Sequence, residues 1–302
     1  MANQAPTAAP PTGDTAPEFT NADLGGRFPP KGQPQIVGFN RIGLWSLYMK
    51  EVHRFLKVQT QTVWAPAITT LLFLVIFTVA MGGSGGRANR VMLGVPFASF
   101  VAPGLIMMGM MQNAFANSSF SLLVGKLQGT IVDLLMPPLT NAELMIGIVS
   151  AAMTRALMVG GAVTLAMALW PGVHLTAAHP WAIAWFGLMG ALMLSLMGLL
   201  TSLWADKFDH AAAVTNFIVA PLSLLSGTFY VIHNLAPTFQ TISRLNPFFY
   251  LISGFRFGFL GSSDIGNSTH DVLLAAAGIG LLNLLLGVVT YRILRSGWKL
   301  KS

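Results

Sequence analysis

The strongest constraint on the fold is a series of long apolar segments separated by short polar ones. Apolar residues make up 54% of the 302-residue chain and charged residues only 9%, against roughly 25% charged residues in soluble domains. The uncharged segments reach about 20 residues, the length at which a helix crosses the hydrocarbon core of a bilayer. The pattern predicts an all-α polytopic membrane protein and excludes the one or two soluble domains that the length alone would allow.

Six segments have the length and composition of membrane spans. Thr140 and Glu143 have the spacing of a helix-capping box, which fixes the start of the third span. We place the spans at residues 64–81, 96–123, 141–170, 181–204, 211–232 and 272–294.

The segment between the last two spans, residues 235–260, is too apolar for a solvated loop, yet Pro237 and Pro247 interrupt it. Two short helices that dip into the outer leaflet account for both properties, because non-helical backbone at that depth has to be buried in protein or line a cavity. We therefore predict a re-entrant helical hairpin.

The chain before the first span has two parts. Residues 1–38 hold seven of the 17 prolines and have little apolar surface to offset chain entropy, so we predict a disordered cytoplasmic tail. Residues 40–57 have helical periodicity, with Trp45 on an apolar arc and Glu51 on a polar, mostly basic one. Such a helix is expected in the headgroup layer. Residues 39–302 then form a single transmembrane domain.

Lysine and arginine residues predict the orientation. With the N-terminus inside, twelve of them lie on the cytoplasmic side and four outside, which by the positive-inside rule predicts that both termini are cytoplasmic. The net charge of +7 does not indicate nucleic-acid binding, because the cations are scattered between spans and form no single basic face.

Signatures of catalysis and cofactor binding are missing from the sequence. It contains no cysteine, no HExxH, no GxSxG and no GxxxxGK[ST], so we expect no nucleotide, metal or other cofactor bound by this chain. His174 and His179 lie five residues apart in an outer loop, where solvated side chains are a simpler interpretation than a metal site. All six histidines lie in loops or near span ends, which argues against an intramembrane enzyme.

One charge lies deep in a predicted span. Arg155 follows Thr140 by 15 residues, or about 22 Å along a helix. An uncompensated arginine at that depth costs roughly 2.5–3.5 kcal/mol. Apart from Glu143 in the first turn of the third span, no acid lies within the predicted spans, which leaves helix carbonyls, amides of the second span or a substrate anion as its partner. Its role as a substrate or gating residue or as a structural tether stays open.

Amides in the second and fifth spans form a polar set that either lines a translocation path or holds helices together. With Arg155, the candidates for the path are Gln112, Asn113, Asn117 and Asn216.

Two further segments carry a family resemblance. GTIVDLLMPPLTNAEL (residues 129–144) and PLSLLSGTFYVIHNLAPTFQTISRLNPFFYLISGFRFGFLG (residues 221–261), together with the amphipathic helix before the first span, resemble the type-2 ABC exporter permeases. That family includes bacterial drug, lipid-linked polysaccharide and Nod-factor exporters. The resemblance covers about residues 39–302.

The resemblance implies a coupling helix at about residues 129–136 that docks in a groove of an ATPase subunit. On the residues alone, a plain interfacial helix would be favoured. Asp133 offers a charge, and Ile131, Leu134 and Leu135 offer apolar anchors for the partner. The implied coupling residues are Gly129, Thr130, Ile131, Asp133, Leu134, Leu135, Pro137 and Glu143.

The same resemblance makes residues 40–57 an interface helix beside the ATPase, and the 235–260 hairpin an outer gate. The interface-helix residues are Trp45, Lys50, Glu51, Arg54 and Lys57, and the gate residues are Tyr230, Asn246, Pro247, Phe248 and Arg256.

The function implied is that of a permease subunit of an ATP-binding cassette exporter in the bacterial inner membrane, moving a lipophilic or amphipathic compound or a lipid-linked glycan. Two copies of a separate ATPase subunit would supply the ATP and Mg²⁺ chemistry, a second permease copy would complete a homodimer, and the remaining partners would be membrane lipids. The alternative is an ATP-independent secondary transporter or channel, which predicts paired charges in mid-membrane.

Overall fold

The structure, a computed structural model, describes residues 38–82, 91–170, 172–266 and 268–299. Apart from Gly38, the tail predicted to be disordered lies outside these residues. A two-residue strand pair, Val91–Met92 (β1) with Val95–Pro96 (β2), precedes the third helix. The α-helices are α1 (Arg41–Leu56), α2 (Ala65–Gly82), α3 (Phe97–Leu127), α4 (Ile131–Leu135), α5 (Asn141–Ala168), α6 (Pro180–Trp204), α7 (Phe208–Val214), α8 (Ala220–Leu224), α9 (Pro237–Leu245), α10 (Pro247–Leu260) and α11 (Thr269–Ser296).

Five of the six predicted spans coincide with long helices whose ends lie within four residues of the predicted ones, counting the π-helical turn Thr60–Trp64 with α2. Four helices of the described part are long and apolar enough to cross a membrane: Thr60–Val79, Asn141–Ala168, Pro180–Trp204 and Thr269–Ser296. At 31 residues α3 is longer, but its middle carries amides and serines. The chain is a polytopic all-α membrane protein.

The predicted fifth span, residues 211–232, is wrong at its C-terminal end. The helical segment passes through a π-helical turn, Thr215–Val219, and ends with α8 at Leu224. Gly227 adopts a left-handed φ of 77°, and the Thr228 hydroxyl donates to the Ser223 carbonyl at 3.1 Å. A glycine in this conformation and a side chain that satisfies a free carbonyl are both typical of a helix end.

The core is built around α3, which packs against α5 and α6. Phe100, Met107 and Phe115 of α3 are at most 1% exposed. A Cβ on Gly198 of α6 would lie 2.5 Å from the carbonyl oxygen of Phe115, so only glycine allows the two backbones to approach this closely. Small residues serve the same purpose at helix interfaces in membranes generally.

Residues 235–260 form two short helices, α9 and α10, that are separated at Asn246. Each begins with a proline in its first turn, where the missing N–H has no helical partner in any case. The Asn246 side chain accepts a hydrogen bond from the Phe248 backbone N–H at 3.0 Å and donates to the Leu222 carbonyl at 2.7 Å. Asn246 therefore caps α10 and ties it to α8.

Candidate functional site

The segment between α3 and α5 turns sharply into a short helix. Within the predicted 129–136 segment, α4 covers only Ile131–Leu135. Gly129 precedes it with a left-handed φ of 70°, and nothing lies within 4 Å of where its Cβ would be, so glycine serves the backbone turn. Thr130 is the N-cap residue without a capping side-chain hydrogen bond, and Pro137 follows the helix.

The apolar anchors expected on α4 do not all face outward. Ile131 is only 9% exposed and belongs to a buried cluster shared by α3, α5 and α6. Its side chain is therefore largely occupied inside its own subunit, and its contact with a partner stays a prediction. Leu134 is half-buried against the same cluster, and the side chain of Leu135 lies outside the described residues.

The outward surface of this segment is formed by three other side chains. Val132 is 56% and Met136 73% exposed, and Asp133 is exposed between them. We name Val132, Asp133 and Met136 the docking face. An exposed apolar pair with one carboxylate has the composition of a small protein contact.

Glu143 joins the end of this segment to two helices. The capping box predicted for α5 is confirmed: Thr140 donates its N–H to the Glu143 carboxylate at 2.7 Å, and its side chain accepts from the Glu143 N–H. The same carboxylate, fully buried, also accepts the backbone N–H of Asn40. The Asn40 side chain caps α1 through Gly43 at 2.8 Å and donates to the Pro138 carbonyl at 3.3 Å. We call this arrangement the Glu143–Asn40 junction.

The predicted interface helix α1 runs along α5. The Tyr48 and Thr154 hydroxyls are hydrogen-bonded at 3.0 Å, at the middle of α1. Lys50 and Lys57 are exposed, as is Trp45 at 62%. The apolar arc drawn from the sequence packs on the protein through Val52 and Phe55, which are buried against α5, and Trp45 at its N-terminal end is directed away.

Glu51 corrects the sequence-based assignment of α1 more strongly. It was expected on the polar outer arc, but it is 3% exposed. Its carboxylate pairs with Arg54 at 2.9 Å and accepts from the Ser121 hydroxyl of α3 at 3.0 Å. A buried carboxylate requires such compensation. Packing of α1 on α5, with the hydrogen bond to Ser121 of α3, decides that Glu51 lies inside.

Two arginines approach one face of α3. Arg155 Nη2 donates to Asn113 Oδ1 at 3.0 Å, and Arg54 Nη2 donates to the Asn117 carbonyl at 2.8 Å. Of the partners left open for Arg155 by the sequence, an amide of the second predicted span is the one in contact with it. Residues four apart lie above one another on a helix, so the two guanidinium groups are one turn apart.

The other predicted path residues are distributed differently. Gln112 and Asn113 line a cavity of about 340 Å³ between α2 and α3, and Thr69 and Thr70 line its opposite wall. Asn216 is exposed in the π-helical turn between α7 and α8. In the part of the chain that the structure describes, no hydrogen bond connects Asn216 to the arginine and amide cluster.

The predicted outer-gate residue Arg256 holds three segments together. Its fully buried guanidinium pairs with Asp264 at 3.1 Å and donates to the carbonyls of Phe100 at 3.2 Å and Gly227 at 2.8 Å. Its Cζ also lies 3.9 Å from the centre of the Phe100 ring, a cation–π contact. The start of α3, the turn after α8 and the loop after α10 thus meet at this side chain.

The remaining predicted gate residues lie toward the start of α10 and the end of α8. Phe248 is fully buried at the start of α10, beside Pro247 and the Asn246 cap. The Tyr230 hydroxyl donates to the Leu224 carbonyl at 3.4 Å.

At the opposite end of the bundle, two lysines, one at the end of α3 and one after α11, donate to the C-terminal carbonyls of α6. Lys126 donates to the Leu203 carbonyl at the end of α6. Lys299, after α11, donates to the Trp204 carbonyl at 3.0 Å and pairs with Asp206 at 2.6 Å. The hydrogen bond from Lys299 lowers the pKa of Asp206, so this carboxylate is ionised at neutral pH. Lysines in this position also interact favourably with helix dipoles. We call this the basic end.

Sequence reasoning missed two of the residues in these contacts. Asn40 had a readable signal, because asparagine directly before a helical pattern is a preferred N-cap. Asp264 had none: it lies in a loop eight residues after Arg256, beyond the end of α10, and only the fold shows that the two meet.

A bundle of long apolar helices with short connecting segments defines a polytopic helical membrane protein. A model of the ABC-2 type transporter family matches residues 43–260, and the chain belongs to this family. It is 37% identical over 225 residues to the inner membrane transport permease YadH of Escherichia coli strain K12, covering 74% of this chain and 85% of that protein. It is 26% identical over 220 residues to nodulation protein J of Sinorhizobium fredii strain NGR234, covering 70% and 80%. The family resemblance of the sequence is confirmed.

Proposed function

We propose that this chain is the permease subunit of an ATP-binding cassette exporter, working as a homodimer with two copies of a separate ATPase subunit that binds ATP and Mg²⁺. Its cargo is a lipophilic or amphipathic compound or a lipid-linked glycan, moved out of the cytoplasm or the inner leaflet of a bacterial inner membrane. Membership of the ABC-2 type family and similarity to a transport permease support this proposal.

In this proposal the chain crosses the membrane six times, and both termini are cytoplasmic. The four long apolar helices would be four of the spans, and α3 and the α7–α8 segment would be the other two. The basic end supports the orientation, because Lys126 and Lys299 meet there and positive charge is retained on the cytoplasmic side of bacterial membranes.

The observation that carries the proposal is the Glu143–Asn40 junction beside the docking face. A push on Val132, Asp133 and Met136 reaches α5 through the capping box and reaches α1 through the Asn40 N–H. Two elements therefore move as one unit, since the shared carboxylate is fully buried and its hydrogen bonds are charge-assisted. This is the arrangement that a coupling helix and an interface helix need in order to respond together to ATPase closure.

The outer end supports a gate of limited mobility. We propose that α9 and α10 form a re-entrant hairpin that closes the path on the outer side. Arg256 fixes the C-terminal part of α10 to α3, so that opening would involve the end near Asn246, Pro247 and Tyr230.

Site-directed cross-linking tests the docking assignment. The chain has no cysteine, so Met136→Cys creates a single attachment point for a benzophenone maleimide on the docking face. Leu169→Cys is the matched control, because Leu169 is 78% exposed but lies at the other end of α5. We expect position 136, and not position 169, to cross-link in membranes to a protein that carries a GxxxxGK[ST] loop, with a yield that changes when ATP is added.

Equal cross-linking of that ATPase from both positions, or from neither, would contradict the docking assignment. Full transport by proteoliposomes that contain the permease alone, without ATP, would instead favour the ATP-independent alternative.

A further inference from the structure

A buried cluster on α1, α3 and α5 has more positive charge than its own side chains neutralise. Arg54 is paired with Glu51 at 2.9 Å. Arg155 contacts the neutral side chain of Asn113, and no acidic partner within 4 Å of it exists among the described residues. Among the described residues, the cluster therefore holds two guanidinium groups and one carboxylate, which is paired with Arg54.

The unpaired polar atoms of this cluster are all donors. Within the described residues, Arg155 Nε and Asn117 Nδ2 are buried and have no hydrogen-bond acceptor. Asn117 is 2% exposed, and its carbonyl groups are already used by Arg54, at 2.8 Å for the backbone and 3.4 Å for Oδ1. Missing acceptors and an excess positive charge have one common solution, a group that is both anionic and acceptor-only, such as a carboxylate, phosphate or sulfate.

A cavity gives such a group a place for the apolar part of its molecule. The cavity of about 340 Å³ between α2 and α3 is bordered by Asn113 and Gln112, and its remaining walls include Phe73, Leu105 and Met108. Its volume lies in the range of small-molecule pockets. Of the cluster, Asn113 borders this cavity, and its amide accepts from Arg155 and donates to the Gly109 carbonyl at 3.0 Å. A polar head group that displaces the Asn113 side chain would therefore meet the arginine while a tail remains against the apolar walls.

If Arg155 were only a structural tether between α5 and α3, its charge would have no explanation. One hydrogen bond to Asn113 holds α5 to α3, but a neutral side chain would make that bond without placing an uncompensated charge in a span. The tether also leaves the donor on Asn117 without a function.

We propose that Arg155, Asn113 and Asn117, with Arg54 beside them, bind the anionic head group of an amphiphile whose apolar tail occupies the α2–α3 cavity. The role of this site in transport rests on the proposed export function, whereas binding itself does not. The head group belongs either to an anionic phospholipid of the bilayer or to a separate anionic amphiphile that is exported.

The test measures binding to the full-length permease in phosphatidylcholine nanodiscs, without ATPase or ATP. The probe is radiolabelled dodecyl phosphate, and dodecanol is the uncharged competitor with the same tail. We expect saturable binding in which dodecanol competes at least about tenfold more weakly, the factor that one charge-assisted hydrogen bond supplies.

Two variants locate the head group. Asn113→Asp places a carboxylate next to Arg155 with almost no change in size, so folding is retained while the anion is repelled. We expect this variant and Arg155→Gln to lose the preference for dodecyl phosphate, and Arg155→Lys to keep part of it. Asn234→Asp is the control, because it makes the same change on an exposed residue outside the cluster. Preserved preference in Asn113→Asp, with a normal melting temperature, would overturn the proposal, as would equal loss in Asn234→Asp.

A last arm separates the two sources of the head group. If replacing a third of the phosphatidylcholine by phosphatidylglycerol displaces the probe, the site binds bilayer lipid. If the probe remains bound, the site selects a different anionic amphiphile. Absence of saturable binding would remove the site altogether and would leave cross-linking of the ATPase at position 136 unaffected, so the two proposals fail separately.

Discussion

The two arginines buried in this bundle, Arg256 and Arg155, differ in how completely they are compensated. Arg256 is fully buried, and it has a carboxylate, carbonyl acceptors on two segments and an aromatic ring around it. Arg155 is partly buried, and its hydrogen bond in the described structure is to one amide, with its Nε unpaired. The contrast indicates that Arg256 is a structural centre, whereas Arg155 carries a charge that no acidic group among the described residues compensates.

The largest effect on stability is expected from breaking the ion pair between Arg256 and Asp264. Arg256→Met leaves Asp264 charged and buried without its partner, which costs about 3–5 kcal/mol of the free energy of unfolding. Denaturation of the purified protein in detergent measures this loss.

The double variant Arg256→Met/Asp264→Leu is the control for this ion pair. It is expected to recover part of the stability, because replacing both members of a buried pair removes the uncompensated charge. If the double variant is less stable than the single one, the contacts of Arg256 with the carbonyls and the Phe100 ring, and not its ion pair, hold these segments together.

An intermediate effect is expected at the Glu143–Asn40 junction. There the buried carboxylate of Glu143 is compensated by two backbone N–H groups. Glu143→Gln retains the shape but replaces charge-assisted hydrogen bonds by neutral ones, a loss of about 1–3 kcal/mol in stability. Because two helices share this carboxylate, we expect permease-stimulated ATP turnover to fall as well.

Asp133→Asn is the comparison for Glu143→Gln, since it makes a similar change on the exposed docking face. It should leave the melting temperature unchanged. Reduced stability in Asp133→Asn, or normal ATP turnover in Glu143→Gln, would contradict the assignment of the junction as a mechanical link.

The smallest effect on stability is expected at Arg155. Arg155→Met removes an uncompensated buried charge, which is favourable, and leaves the Asn113 oxygen without its donor, which is unfavourable, so the net change should stay within about 1 kcal/mol. Export is expected to fall nonetheless. If Arg155→Met destabilises the protein as much as Arg256→Met, Arg155 is a structural tether and the contrast between the two arginines disappears.

The sequence predicted local features well and pairings poorly. The capping box of Thr140 and Glu143 was readable because its members are three residues apart on one helix turn. The end of α8 at Leu224 was also readable, since Ser226 and Gly227 are typical helix-end residues, but the apolar run up to Ile232 outweighed that signal. The inward position of Glu51 was not readable, because a helical wheel shows which residues share a side and not which neighbour that side meets.

What the sequence determined by itself is the class of the molecule: a helical membrane protein whose family is recognisable from two segments, because segment length and charge content are set by the bilayer and short motifs are set by local geometry. The tertiary structure alone decided how each buried charge is treated. Asp264 reaches Arg256, Ser121 and Arg54 reach Glu51, and Arg155, within the described part of the chain, is hydrogen-bonded to Asn113. Those outcomes depend on which helices pack together and at what height, and no local pattern encodes either.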